Sequence, residues 1–110
     1  MLIKPSFLTL PEVHLIMELV NSIKQNHFVH SVYIYGSRAK GLSNENSDVD
    51  IAVVISDSSQ QRNVMKLIET WINNQESNIL LHQMVIDIER FTHTEIGEQI
   101  KKGELIWMRN

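Results

Sequence analysis

Apolar residues recur along the chain with two different periods. Val13, Ile16, Met17, Val20 and Ile23 repeat every three or four residues, the spacing of one helix face. Thr9 and Glu12 stand three apart just ahead of them, as in a capping box. Pro11 is tolerated in a first turn, so the pattern predicts a helix that opens after Thr9. From His30 to Tyr35 the period changes. Val32, Tyr33, Ile34 and Tyr35 are strand formers that run directly into Gly36. Residues 36–47 are rich in Gly, Ser and Asn and predict a loop or turn. Val49 to Ile55 is apolar almost throughout after Asp50, which suits a strand buried on both faces.

Asp57, Ser58 and Ser59 then offer helix N-caps ahead of a second stripe, Val64, Leu67, Ile68, Trp71 and Ile72. Trp71 and Ile72 are expected in the core. A third strand is predicted over Ile79 to Ile88. Thr92 and Glu95 repeat the capping-box spacing and predict a short helix carrying Ile96 and Ile100. Lys101 and Lys102 suit the dipole at its end, and Gly103 suits the position beyond. Leu105 to Met108 reads as a last short strand. The order helix, strand, strand, helix, strand, helix, strand implies an α/β fold of the α+β type, a mixed β-sheet packed with helices. It is not a regular βαβ repeat, because a loop joins the first two strands.

Composition narrows the function. The 110 residues fit a single domain, 1–110, with no internal repeat and no linker. A domain of this size hides roughly 60–70% of its unfolded surface, enough for one core. There is no Cys, so disulfides and cysteine-based metal sites are excluded. Neither a signal peptide nor a membrane-length apolar run is evident, so a soluble, cytoplasmic protein is expected. The net charge is -3, and basic residues cluster only briefly, at Arg38 with Lys40 and at Lys101 with Lys102. A protein that grips a long nucleic acid usually has a basic face. A small phosphorylated ligand or a protein partner is the better expectation.

The candidate chemistry lies in YIYGSRAKGLSNENSDVDIAVV. A strand ends in Gly36-Ser37, ten residues intervene, and Asp48-Val49-Asp50 opens the next strand. Residues two apart in a strand share a face, about 6–7 Å apart along the chain, so Asp48 and Asp50 can converge on one site. Two convergent carboxylates stay ionised together only with cations between them. Paired metal ions that clamp an in-line phosphoryl displacement are one standard use of such a pair. Gly36 allows close approach of the backbone to a ligand. Backbone N–H groups and the Ser37 hydroxyl can donate to phosphate oxygens, with Arg38 and Lys40 in reach. Taken alone, an Asp-x-Asp is usually a solvated strand end and a Gly-Ser a turn; the combination at this spacing, flanked by strands, is much rarer. The five His residues, 14, 27, 30, 82 and 93, lack metal-ligand spacing and are expected at the surface or at helix ends.

The segment resembles the signature of the DNA polymerase beta-like nucleotidyltransferase superfamily: Gly-Ser, ten residues, Asp-x-Asp. It is most similar to the minimal nucleotidyltransferases, stand-alone domains of about this length. Gly41 and Ser47 sit where that family has Gly and Ser. Asp87-Ile88-Glu89-Arg90, followed by a short helix and Gly103, resembles its closing segment. The resemblance implies the nucleotidyltransferase fold. It implies a triphosphate held at Gly36 and Ser37, with Arg38, Lys40 and Ser47 among the nucleotide-binding residues. It also implies two magnesium ions (Mg2+) bound by Asp48 and Asp50. The reaction implied moves a nucleoside monophosphate, AMP from ATP or another nucleoside triphosphate, onto a hydroxyl acceptor and releases pyrophosphate. Minimal nucleotidyltransferases often accompany a small helical HEPN protein, and several such pairs are toxin–antitoxin modules. The resemblance therefore implies an antitoxin that modifies or sequesters such a partner. Antibiotic adenylylation is a weaker reading, because its drug pocket usually comes from a second domain. Without one, base selection has to come from a few residues near the site, from a homo-oligomer or from a partner.

The sequence departs from the family at one place. The superfamily normally adds a third carboxylate on the next strand, three residues before an Asp-x-Glu such as Asp87-Ile88-Glu89. That position is Met84. A thioether is neither a general base nor a good magnesium ligand. Either Met84 holds the family position and the site is impaired, or the register differs and Asp87 is a catalytic carboxylate. Strand parity separates the two, because residues 84 and 87 face opposite sides. Met84 is the favoured assignment. His82 shares its face and is a candidate stand-in base. A catalytically degenerate module that binds nucleotide or partner is accordingly the alternative function.

Overall fold

A computed structural model describes residues 8–36, 48–76 and 79–110. Helix α1, Leu10–Ile23, starts as the spacing predicts. The Thr9 hydroxyl accepts from the Glu12 backbone N–H at 3.3 Å, and Glu12 Oε1 accepts from the Thr9 N–H at 2.8 Å. Strands β1, Val29–Tyr35, and β2, Val49–Ile55, follow. Every residue of β2 but Asp50 is buried, as expected of a strand covered on both faces.

Asp57 caps a single 3-10 turn, Ser58–Gln60, that leads into α2, Gln61–Asn73. The Ser59 backbone N–H donates to the Asp57 carboxylate at 2.9 Å and holds its pKa below the ordinary value. Strand β3 spans Leu81–Asp87, shorter than the predicted Ile79 to Ile88. Its end is set by Asp87, whose side chain caps a further helix, α3, Ile88–His93. That helix replaces the predicted strand end. Helix α4, Glu95–Lys101, is capped by Thr94 and not by Thr92. Thr92 lies inside α3, where its hydroxyl donates back to the Ile88 carbonyl at 2.7 Å. Strand β4, Glu104–Met108, closes the chain. Gly103 has no left-handed backbone. It is required because a Cβ there would lie 2.0 Å from the Ile34 carbonyl oxygen.

The four strands form one mixed sheet in the order β3-β2-β1-β4. β1 is antiparallel to β2 and to β4, whereas β2 and β3 are parallel and joined through α2. Val49, Ile51, Val53 and Ile55 of β2 pack with α1 and α2 through Ile16, Leu19, Val20, Ile23, Val64 and Ile68. Ala52 and Val54 face the other side and pack with Phe91 of α3 and Ile100 of α4. The sheet is therefore sandwiched between two helix pairs. Arg109 locks the end of β4 in place, its guanidinium donating to the carbonyls of Val29, Lys24 and Asn26 at 2.9, 2.7 and 3.1 Å. Among the described residues, no helix is long and apolar enough to cross a membrane.

Candidate active site

The antiparallel register sets Tyr35, the last residue of β1, opposite Asp50 near the start of β2. The parallel register sets His82 of β3 level with Asp50 on its other side. Asp50 has the parity of Ala52 and Val54, so it stands on the α3–α4 face, at the end of the sheet where β2 begins. Asp48, just ahead of β2, is exposed. The strand alternation that buries Val49 and Ile51 on one side puts the Asp50 carboxylate on the other.

Directly after β1, Gly36 takes φ +76°, a left-handed conformation that favours glycine. A Cβ on Gly36 would also lie 2.5 Å from Asp50 Oδ2. The left-handed backbone is what favours glycine, and the close approach brings the chain leaving β1 against the carboxylate. Ser37, Arg38, Lys40, Gly41 and Ser47, the other residues assigned to the phosphate-binding segment, lie outside the described residues.

The remaining neighbours set the chemistry. His82 Nδ1 lies 3.0 Å from Asp50 Oδ1. The imidazole is 71% exposed and the Asp50 side chain 29%. Burial pushes the Tyr35 phenol above its ordinary pKa, and the Asp50 charge adds to the rise. Met84 pairs with Ala52 and packs, half-buried, against the cluster of Ala52, Val54 and Ile86. It is on the site face, one step deeper than His82, and brings no carboxylate there.

Asp87 does not join this group. It pairs with Ile55, five residues along β2 from Asp50, about 16 Å away at the rise of a strand. It has the opposite parity to Met84 and is 6% exposed. Its carboxylate accepts from the Arg90 backbone N–H at 3.0 Å and pairs with the Arg90 guanidinium at 3.3 Å. With Ser58, Glu89, Arg90, His93 and Thr94 it lines an open depression of about 390 Å³, at the opposite end of β3 from Asp50. The alternative register that made Asp87 a catalytic carboxylate therefore meets a helix cap. Asp87→Ala is expected to cost about 0.5–2 kcal/mol in urea unfolding, the range of a lost N-cap, and to leave nucleotide binding at the native level. A loss of nucleotide binding in a variant of native stability would return Asp87 to the site.

Among the described residues no three His, Asp or Glu side chains could hold a metal ion by themselves. Asp48 and Asp50 nonetheless suit magnesium, which characteristically takes one or two carboxylates and completes its shell with water and substrate phosphates. The donor set fits a metal that arrives with a phosphate ligand. Of the residues the sequence singles out, Gly36 and Asp50 lie against each other, and His82, a candidate stand-in base by strand parity, lies beside Asp50. Tyr35 is legible in the sequence only as a strand former, and the His82–Asp50 contact itself depends on the register of two strands separated by a helix.

A family model described as polymerase beta, nucleotidyltransferase, matches residues 17–110. Three solved structures are similar in fold. One, from Sulfolobus solfataricus, is named provisionally as a nucleotidyltransferase; it has a TM-score of 0.65 and 24% identity, over 87% of this chain and 79% of that one. A second comes from a toxin–antitoxin crystallised with AMP-PNP, with a TM-score of 0.50 and 16% identity over 88% of this chain and 73% of that one. The third is a spectinomycin adenyltransferase from Enterococcus faecialis with ATP and spectinomycin, with a TM-score of 0.51 and 15% identity. There the match covers 92% of this chain and only 48% of the enzyme. At these identities the likeness is one of fold. No curated protein matches the chain.

Proposed function

Because the chain belongs to the polymerase beta nucleotidyltransferase family, we propose that it transfers a nucleoside monophosphate, AMP from ATP, to a hydroxyl on a partner protein. The observation that carries this reading is the approach of Asp50 Oδ2 to Gly36, which sets a carboxylate beside the backbone that leaves β1. In this reading Gly36 and Ser37 hold the triphosphate, with Arg38, Lys40 and Ser47 beside them. Asp48 and Asp50 hold magnesium, which when bound neutralises charge on the phosphates and favours departure of pyrophosphate. The chain's own part is positioning: exposed Asp48 and half-buried Asp50 stand at the start of β2, backed by the sheet, where their carboxylates can meet a metal-bound phosphate.

Nucleotide-bound relatives of the same fold, one a toxin–antitoxin with AMP-PNP and one an adenyltransferase with ATP, support the choice of an adenine nucleotide. The first also supports a partner, which we take to be a helical HEPN-type toxin with this chain as its cytoplasmic antitoxin. Met84 favours a second reading, a degenerate module that binds nucleotide or partner but transfers slowly or not at all. Mass spectrometry of the protein encoded next to this chain, after co-expression, separates the two. An added nucleoside monophosphate that disappears with Asp48→Asn/Asp50→Asn means an enzyme. A tight, unmodified complex means a binding module.

A further inference from the structure

The two oxygens of Asp50 have different surroundings. Oδ1 lies 3.0 Å from His82 Nδ1, whereas Oδ2 is directed at Gly36, within 2.5 Å of where a Cβ would stand. An ionised carboxylate only accepts hydrogen bonds, so Nδ1 carries the proton in this contact. A carboxylate at a strand end is otherwise free to rotate about its last torsion, which is broad and roughly two-fold. The imidazole biases that torsion by engaging Oδ1. It reaches Asp50 because parallel pairing of β2 and β3 puts the two residues side by side. The contact has little structural value, since an ion pair or hydrogen bond this exposed contributes about 0–1 kcal/mol. An exposed histidine held on a carboxylate that also faces Gly36 is better explained by the site than by the fold.

We propose that His82 is a positioning residue for Asp50: by holding Oδ1 it commits Oδ2 to the metal–phosphate side of the site at Gly36. The inference rests on the proposed metal–nucleotide role of Asp50 and adds a residue to it. Ligating groups are commonly oriented by a hydrogen-bonding neighbour, and loss of that neighbour typically costs about 10–100-fold in metal affinity or activity. The role needs the N–H at the Nδ1 position and no other part of the ring. An Asn side chain can place an amide N–H close to that point; an Ala cannot.

The test uses manganese as the magnetic probe and ATP as the ligand, with the full chain. Electron paramagnetic resonance titration of manganese in the presence of ATP is expected to show His82→Ala binding about 10–100-fold more weakly than native, with an unchanged urea midpoint. His82→Asn is expected to return binding close to the native value. Native-strength or tighter binding by His82→Ala would overturn the proposal. So would a His82→Asn variant as weak as His82→Ala. A nitrogen coupling on the bound manganese that vanishes in His82→Ala would also overturn it, by making the imidazole a direct ligand. The parallel titration of Asp48→Asn/Asp50→Asn keeps the two levels apart. If that variant binds like native, the metal site itself is wrong, whatever His82 does.

Discussion

Asp48→Asn/Asp50→Asn will lose metal-dependent ATP binding by at least about a thousandfold while keeping its fold. One unit-charge contact at 4 Å is worth about 4 kcal/mol at an effective dielectric constant of about 20, and two such contacts to a divalent ion are removed. Folding has little to lose. Asp48 is exposed, and Asp50 keeps an oxygen able to accept from His82 when it becomes Asn. The check is a metal titration in the presence of ATP beside a urea unfolding curve of the same preparation. Native-like binding in the variant would refute the site. A collapsed unfolding midpoint would mean that the two residues serve the fold.

Met84→Asp is expected to raise the rate of nucleotidyl transfer by about 10²–10⁴-fold, the usual contribution of a positioned general base. Met84 stands on the same face as Asp50 and His82, beside Ala52 and open enough to be only half-buried. In the reading that assigns the family's third carboxylate to position 84, an Asp there would restore it. The substitution removes packing from the cluster around Ala52, Val54 and Ile86, so a stability loss of about 1–3 kcal/mol accompanies it. Release of pyrophosphate from ATP, with water or glycerol as acceptor, measures the rate without knowledge of the natural acceptor. Native binding with a slow native rate and a faster variant is the expected pattern. A robust native rate that Met84→Asp does not improve would mean that the missing base is supplied elsewhere, by the partner or by another residue of this chain.

Local signals carried much of the architecture. The Thr9–Glu12 pair marks the start of α1 because both halves of a capping box lie within one turn, and β2 is legible because a strand covered on both faces needs a continuous apolar run. Helix α3 was not legible. An Asp after an apolar run can close a strand or open a helix, and only the place of Asp87 against Arg90 decides. Once α3 exists, Thr92 is inside it, and capping passes to Thr94 despite the better spacing of Thr92 with Glu95. Gly103 was assigned to a helix-ending conformation, whereas its reason is the close pass over Ile34, a long-range contact. The site divides in the same way. Gly36 and Asp50 meet because β1 and β2 are antiparallel neighbours with Tyr35 opposite Asp50. His82 reaches Asp50 across a parallel pairing routed through α2, a register that no local pattern encodes.

The central claim is a metal–triphosphate site built on Asp48, Asp50 and the backbone at Gly36, and calorimetric titration of the native chain with ATP tests it most directly. With magnesium present, a saturable heat with a stoichiometry of one ATP per chain is expected; with magnesium removed by chelation, the binding should fall away. The same heat with and without magnesium, or no heat in either condition, would contradict the account.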